Sequence, residues 1–155
     1  MKMQFTYNIF LIGFMGSGKS TVADYLCEKF DMDVVEMDQV IAERERMSIS
    51  DIFEKHGELY FRDLETKLLV ELQEKTNTVV SCGGGAAMRE CNVTEMKKNG
   101  KVVLLTAKPE TILERVENNH DRPLLENNKT VAYIAELMEK RREKYEAAAD
   151  MIIET

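Results

Sequence analysis

Apolar and polar positions follow two rhythms along this chain. Short, continuous apolar runs fall at 8–12 (Asn-Ile-Phe-Leu-Ile), 34–35, 78–81, 101–106 and 151–153, and read as strands. The first has the unbroken apolar character of a strand buried on both faces. Between the runs, apolar residues recur at helical spacing: Val22, Leu26 and Phe30, then Leu64, Leu68, Leu69 and Leu72. Val40, Ile41 and the charged residues 43–46 predict a short helix. Ser48, with Asp51 three residues later, has the capping pattern of a further helix start, before Ile52 and Phe53, and Gly57 breaks the chain after it. The pattern also predicts a helix over 88–99 that stops at Gly100, and one that starts near Pro109 and runs to about Glu117. A charged helix covers 131–147. The span 118–129 is polar, contains a proline and reads as a loop. Strands alternating with helices predict βαβ units around a five-stranded parallel sheet, an α/β fold.

Composition narrows this picture. A length of 155 residues suits one domain spanning 1–155, since domains run to roughly 100–200 residues. No repeat, low-complexity segment or linker divides the chain. Hydrophobic residues at 44% and charged residues at 32% exclude disorder. No apolar run approaches the ~18 residues of a membrane span. Residues 1–10 carry one lysine and lead straight into a glycine motif, so they read as a first strand and not as a signal peptide. The formal charge of −7 argues against a nucleic-acid-binding surface but allows a small anionic ligand in a locally basic pocket. Cys27, Cys82 and Cys91 are odd in number and form no C-x-x-C pair. They suggest a reduced, cytoplasmic protein in which each is a buried small apolar residue. The scattered methionines and the lone His56 and His120 suggest no metal or catalytic role.

The chemistry begins at residues 13–20, Gly-Phe-Met-Gly-Ser-Gly-Lys-Ser, which fit G-x-x-x-x-G-K-[ST] with a strand before and a helix after. In such a loop, glycines let backbone N–H groups surround phosphate oxygens, and the following helix N-terminus adds a favourable dipole. Gly16, Ser17, Gly18, Lys19, Ser20 and Thr21 are therefore candidate nucleotide-binding residues. Lys19 would reach the β- and γ-phosphates, and Ser20 would be a ligand for Mg²⁺. Asp38 follows the second strand, at the sheet edge where α/β proteins bind ligands, and can orient or deprotonate a hydroxyl. Its alternative role is a helix N-cap before Val40. Glu36 points to the same side if the segment is still extended. Arg62 and Glu65 share a helix at i, i+3, either as part of a site or as a solvated pair. Gly83, Gly84 and Gly85 at a strand end suit close approach of backbone to a ligand, or a plain sharp turn. Arg115, Arg122 and Arg141 follow. Phosphoryl transfer needs such cations, and a cover that excludes water.

Taken together, these residues resemble the shikimate kinase family over essentially the whole chain. The resemblance rests on Gly-Phe-Met-Gly-Ser-Gly-Lys-Ser-Thr at 13–21, Glu-Met-Asp at 36–38, Met-Ser-Ile-Ser-Asp-Ile-Phe at 47–53, Phe-Arg-Asp-Leu-Glu at 61–65, Gly-Gly-Gly at 83–85, Arg-Pro-Leu-Leu at 122–125, and Arg141 with Tyr145. It implies a three-layer P-loop fold with strand order 2-3-1-4-5, helices on both faces and a lid at about 118–129. It further implies ATP and Mg²⁺ as co-substrate and metal, shikimate as acceptor, and a monomer. Asp38 then contacts the reacting hydroxyl, Arg62 and Arg141 hold the substrate carboxylate, and Gly83–Gly85 lie against the substrate. Glu65 supports that cluster, Arg122 reaches the transferring phosphate, and Arg115 packs on the adenine. Two positions depart from the pattern. The usual Asp-x-Asp is Glu36-Met37-Asp38, which leaves Glu36 as the metal-side carboxylate. The usual Arg-x-Pro-Leu-Tyr lacks its proline here, which leaves Arg141 and Arg142 as rivals. The competing readings are a gluconate or nucleoside monophosphate kinase, and a nucleotide-binding regulator without catalysis.

Overall fold

The computed structural model describes residues 5–116 and 130–155. The expected lid at 118–129, with Arg122, and the end of the preceding helix at Glu117 lie outside the described residues. Five strands, β1 (Asn8–Ile12), β2 (Asp33–Glu36), β3 (Thr78–Ser81), β4 (Gly100–Thr106) and β5 (Met151–Glu154), form one sheet in the order β2-β3-β1-β4-β5. All four pairings are parallel. The helices are α1 (Lys19–Phe30), α2 (Met37–Glu45), α3 (Ile49–His56), α4 (Glu58–Glu71), α5 (Glu90–Lys98), α6 (Pro109–Val116) and α7 (Val131–Ala148).

The unbroken apolar run of β1 follows from burial on two sides. Leu11 packs with Ala23 of α1, Met32 and Val79, with Ile9 alongside. Phe10 and Ile12 face the other way, into a larger cluster built from α2 to α7. Successive side chains of a strand point to opposite faces, so a central strand covered by helices on both must be apolar throughout. Asn8 is the exception, fully buried and fully used. Its Nδ2 donates to the carbonyls of Leu72 and Lys75, and its Oδ1 accepts from the Thr78 N–H. It pins the start of β1 to the segment that leads into β3.

Three expectations need correction. The helix foreseen over 88–99 is a 3-10 turn, Ala86–Met88, followed by α5, which ends at Lys98. Gly100 does not stop it; it is the first residue of β4, and a Cβ there would lie 2.5 Å from the Phe10 ring and 2.8 Å from the Asn8 carbonyl. The glycine answers a packing demand, so Gly100→Ala should cost roughly 1–3 kcal/mol, the range of core overpacking. A urea titration would show the midpoint fall, and an unchanged midpoint would contradict this packing account. Finally, only Cys82 of the three cysteines is buried; Cys27 and Cys91 are exposed. Both sit on the outer faces of amphipathic helices, where a short apolar run gives no warning of exposure.

Candidate active site

The loop after β1 reaches α1 through Gly18, the helix N-cap, in a left-handed conformation (φ 102°) that suits glycine. No side chain caps α1, and its first turn carries no acidic residue. The leading N–H groups of the helix and its dipole are thus available to an anion. Lys19 Nζ donates to the carbonyls of Gly13 (2.7 Å) and Phe14 (3.2 Å), which hold the ammonium inside the loop's curve.

A cleft of about 730 Å³ opens at this point. Gly16, Gly18, Lys19, Ser20 and Thr21 line one side, Glu36 and Asp38 another, and Gly83, Gly84 and Arg115 complete it. Every one of these lies at or beyond the carboxyl end of a strand or in the helix that follows, where open α/β sheets bind ligands. Ser17 does not line this cleft; it borders a second cavity of about 530 Å³ together with Phe14 and Tyr145. Arg115 Nη1 donates to the Gly16 carbonyl at 2.8 Å and to Thr155 Oγ1 at 3.2 Å. Thr155 Oγ1 in turn donates to the Ser17 carbonyl at 2.8 Å. Thr155, which no spacing marked, therefore ties the end of β5 to the phosphate loop.

Glu36 ends β2 and is the N-cap residue of α2, so Asp38 is not an N-cap but the second residue of that helix. The extended geometry imagined for 36–38 is absent, yet both carboxylates reach the cleft. Met37 is the residue that turns inward, fully buried.

The glycine run explains itself through space. A Cβ on Gly83 would fall 2.6 Å from Glu65 Oε2 and 2.8 Å from Asp38 Oδ1, and one on Gly85 would sit 2.5 Å from the Arg62 guanidinium. Gly84 faces Arg141 Nη1, with 3.3 Å between it and the missing Cβ. Three elements distant in sequence converge on this short segment, and at Gly83 and Gly85 a Cβ would displace the side chains they bring.

Arg62 is not a solvated surface residue. Its Nη1 donates to Glu65 Oε1 at 2.8 Å and its Nε to Glu58 at 3.2 Å. Its Cζ lies 5.3 Å and 5.9 Å from the ring centres of Phe61 and Phe53, within cation–π range. Phe53 arrives on α3, whose first turn is closed by Ser48 accepting from the Asp51 N–H, as the capping pattern predicted. The motif at 47–53 thus serves to deliver a ring to Arg62. Arg141 and Arg142 separate cleanly. Arg141 stacks over Phe14 of the phosphate loop at 5.8 Å, while Arg142 pairs with Glu139 and Glu146 on the exposed face of α7.

Glu65 is fully buried, and its Oε2 has no hydrogen-bond partner among the described residues. Burial pushes its carboxyl up to about 7, against the lowering effect of the Arg62 guanidinium; nearby Asp38 pushes the same way as burial, and Arg141 opposes. Burial also works against charge on Arg62, but Glu65 and Glu58 outweigh it and hold the guanidinium above its ordinary value. The arginine stays charged, and Glu65 is the member that titrates. A folded-state value of about 7 above an ordinary 4.5 means that the folded protein binds more protons between those limits. The contribution is therefore fully present below the lower value and is lost as pH rises through the upper one. Thermal melts across that window should fall less steeply with rising pH for Glu65→Gln than for the native protein, and parallel curves would contradict the assignment.

A cradle for phosphates at the end of β1 and an arginine–carboxylate cluster at the ends of β2 and β3, one strand apart, define a P-loop phosphotransferase. The family model described as shikimate kinase matches residues 15–155. The chain is 47% identical over 141 residues to the shikimate kinase of Sulfurihydrogenibium sp., covering 91% of this chain and 84% of that one. It is 46% identical over 148 residues to the shikimate kinase of Persephonella marina, covering 96% and 88%. The solved shikimate kinase of Acinetobacter baumannii, in complex with shikimate, superposes with a TM-score of 0.91 at 36% identity over 96% of this chain and 83% of that one. The chain belongs to the shikimate kinase family.

Proposed function

We propose that the protein transfers the γ-phosphoryl group of ATP to a hydroxyl of shikimate, giving ADP and shikimate 3-phosphate. The observation that carries this reading is the convergence of Arg62, Arg141, Asp38 and Glu65 on Gly83–Gly85, beside the phosphate loop. The guanidinium groups suit a carboxylate, bound by planar donors that match its geometry. Asp38 suits a hydroxyl, and the glycine run lets it lie close to the guanidinium groups. Gluconate is a carboxylate-bearing polyol, so it is the sharper rival. The regulator reading has only Glu36 in its favour, against a full set of charged groups.

In the proposed mechanism the loop N–H groups and Lys19 hold the triphosphate. Asp38 orients the acceptor oxygen and takes its proton as the bond to phosphorus forms. Arg62 and Arg141 fix the acceptor by its carboxylate, Glu65 holds Arg62 in place, and Arg115 packs on the adenine. Arg122, outside the described residues, is the further cation that the resemblance brings to the transferring group. Among the described residues no cluster of His, Cys, Asp or Glu forms a cage for a metal ion. That fits Mg²⁺ bound largely by water and phosphate oxygens, with Ser20 and Glu36 as the protein's contribution, since both line the cleft. When bound there, Mg²⁺ would neutralise phosphate charge. Among the described residues no helix is long and apolar enough to cross a membrane. A cytoplasmic enzyme is the reading we adopt.

Coupled measurement of ADP release with shikimate, gluconate and nucleoside monophosphates tests the proposal. Turnover should be saturable with shikimate and near background with the others. Preference for gluconate or a nucleotide, or no acceptor-dependent release, would overturn it. Glu36→Gln should raise the Mg²⁺ concentration needed for half-maximal rate and leave the KM for shikimate nearly unchanged. Superimposable Mg²⁺ titrations would remove Glu36 from the site.

A further inference from the structure

Tyr145 has no part in the mechanism above, yet its hydroxyl sits where two parts of the acceptor site meet. It lies on α7, one helical turn after Arg141, and is buried, with 5% of its surface exposed. Its hydroxyl donates to the Gly84 carbonyl and accepts from Arg141 Nη1 at 3.5 Å. One oxygen atom therefore touches the middle of the glycine run and a proposed carboxylate-binding arginine. Arg141 has a second restraint, the Phe14 ring. A guanidinium on a long side chain has many rotamers, and only neighbours can select one. Burial pushes the phenol upward, against the lowering effect of Arg141, so the hydroxyl keeps its proton at neutral pH and stays a donor to Gly84.

We propose that Tyr145 is a positioning residue for the acceptor: its hydroxyl locks Arg141 to the Gly84 carbonyl, so that the arginine and the glycine run meet the substrate carboxylate in a fixed register. The inference rests on the reading of Arg141 as a carboxylate ligand. It predicts an effect on acceptor binding that nucleotide binding does not share, because the phosphate loop has its own restraints in Lys19, Arg115 and Thr155.

Steady-state kinetics of the native enzyme, Tyr145→Phe, Arg141→Ala and the double variant test it. Phenylalanine keeps the ring in the core and removes one oxygen. The KM for shikimate should rise about three- to tenfold in Tyr145→Phe, the range for loss of one ordinary hydrogen bond, with little change in the KM for ATP. On the Arg141→Ala background the same change should have an effect within about twofold, because the group it positions is gone. A purely structural tyrosine would instead lower the melting temperature and leave the KM for shikimate in place. That result, with Arg141→Ala still raising this KM, overturns the proposal alone. If Arg141→Ala also leaves the KM for shikimate unchanged, the carboxylate reading falls with it. Should Tyr145→Phe fail to fold, trifluorotyrosine at position 145 keeps ring and hydroxyl but loses its proton at lower pH. The KM for shikimate should then climb with pH more steeply than in the native enzyme, and identical profiles would overturn the proposal.

Discussion

Replacing Lys19 with alanine should lower kcat/KM by at least ~10³-fold, the scale on which electrostatic stabilisation of a transition state is lost. The ammonium lies at the first residue of α1, where the helix dipole and the uncapped N–H groups already favour negative charge. It sits inside the curve of the loop, where the Gly13 and Phe14 carbonyls hold it. The Phe14 carbonyl also accepts from the Ser17 N–H at 3.1 Å and so keeps a partner without Lys19, and the fold should survive the change. Circular dichroism would establish that the variant is folded, and initial rates with saturating shikimate would give the loss. A folded Lys19→Ala enzyme with near-native turnover would contradict the role of the loop.

Asp38→Asn should cut kcat by roughly 10²–10⁴-fold, the span typical of general acid–base catalysis. Asparagine keeps the shape beside Gly83, where a Cβ on the glycine would approach Asp38 Oδ1 to 2.8 Å, and it removes the base. The two variants should fail differently. Lys19→Ala should weaken the hold on the triphosphate. Asp38→Asn should leave ATP affinity close to native, because in the proposed mechanism the carboxylate works on the acceptor. Isothermal titration with ATP separates them. Lost ATP affinity with surviving shikimate turnover would show that Asp38 works on the nucleotide.

The strands and the phosphate loop were legible because their signals are local. A run such as Asn8–Ile12 carries its burial in its own composition, and the glycine–lysine–serine pattern needs only a strand before and a helix after. The strand order and the acceptor came from resemblance, since nothing in the spacing of residues reports which strand lies next to which. What local signals missed depends on distant partners. Gly100 looked like a helix stop because its demand comes from Phe10, far away in the chain. Arg62 and Glu65 looked equally like a surface pair, because burial is conferred by α3 and the glycine run. Cys27 and Cys91 were misjudged for the converse reason: cysteine is often buried, but a helix face decides. The sequence left Arg141 and Arg142 as rivals, because only the helical turn decides that one faces Phe14 and the other Glu139 and Glu146; that placement supports Arg141 in the proposed role.

The most direct test of the central claim is phosphorus NMR of the complete reaction with ATP, Mg²⁺ and shikimate. The account predicts that the γ-phosphate signal of ATP disappears as one phosphomonoester signal on shikimate appears, in equal amount and without free phosphate. Release of inorganic phosphate in its place, or an unchanged ATP spectrum with shikimate present, would contradict it.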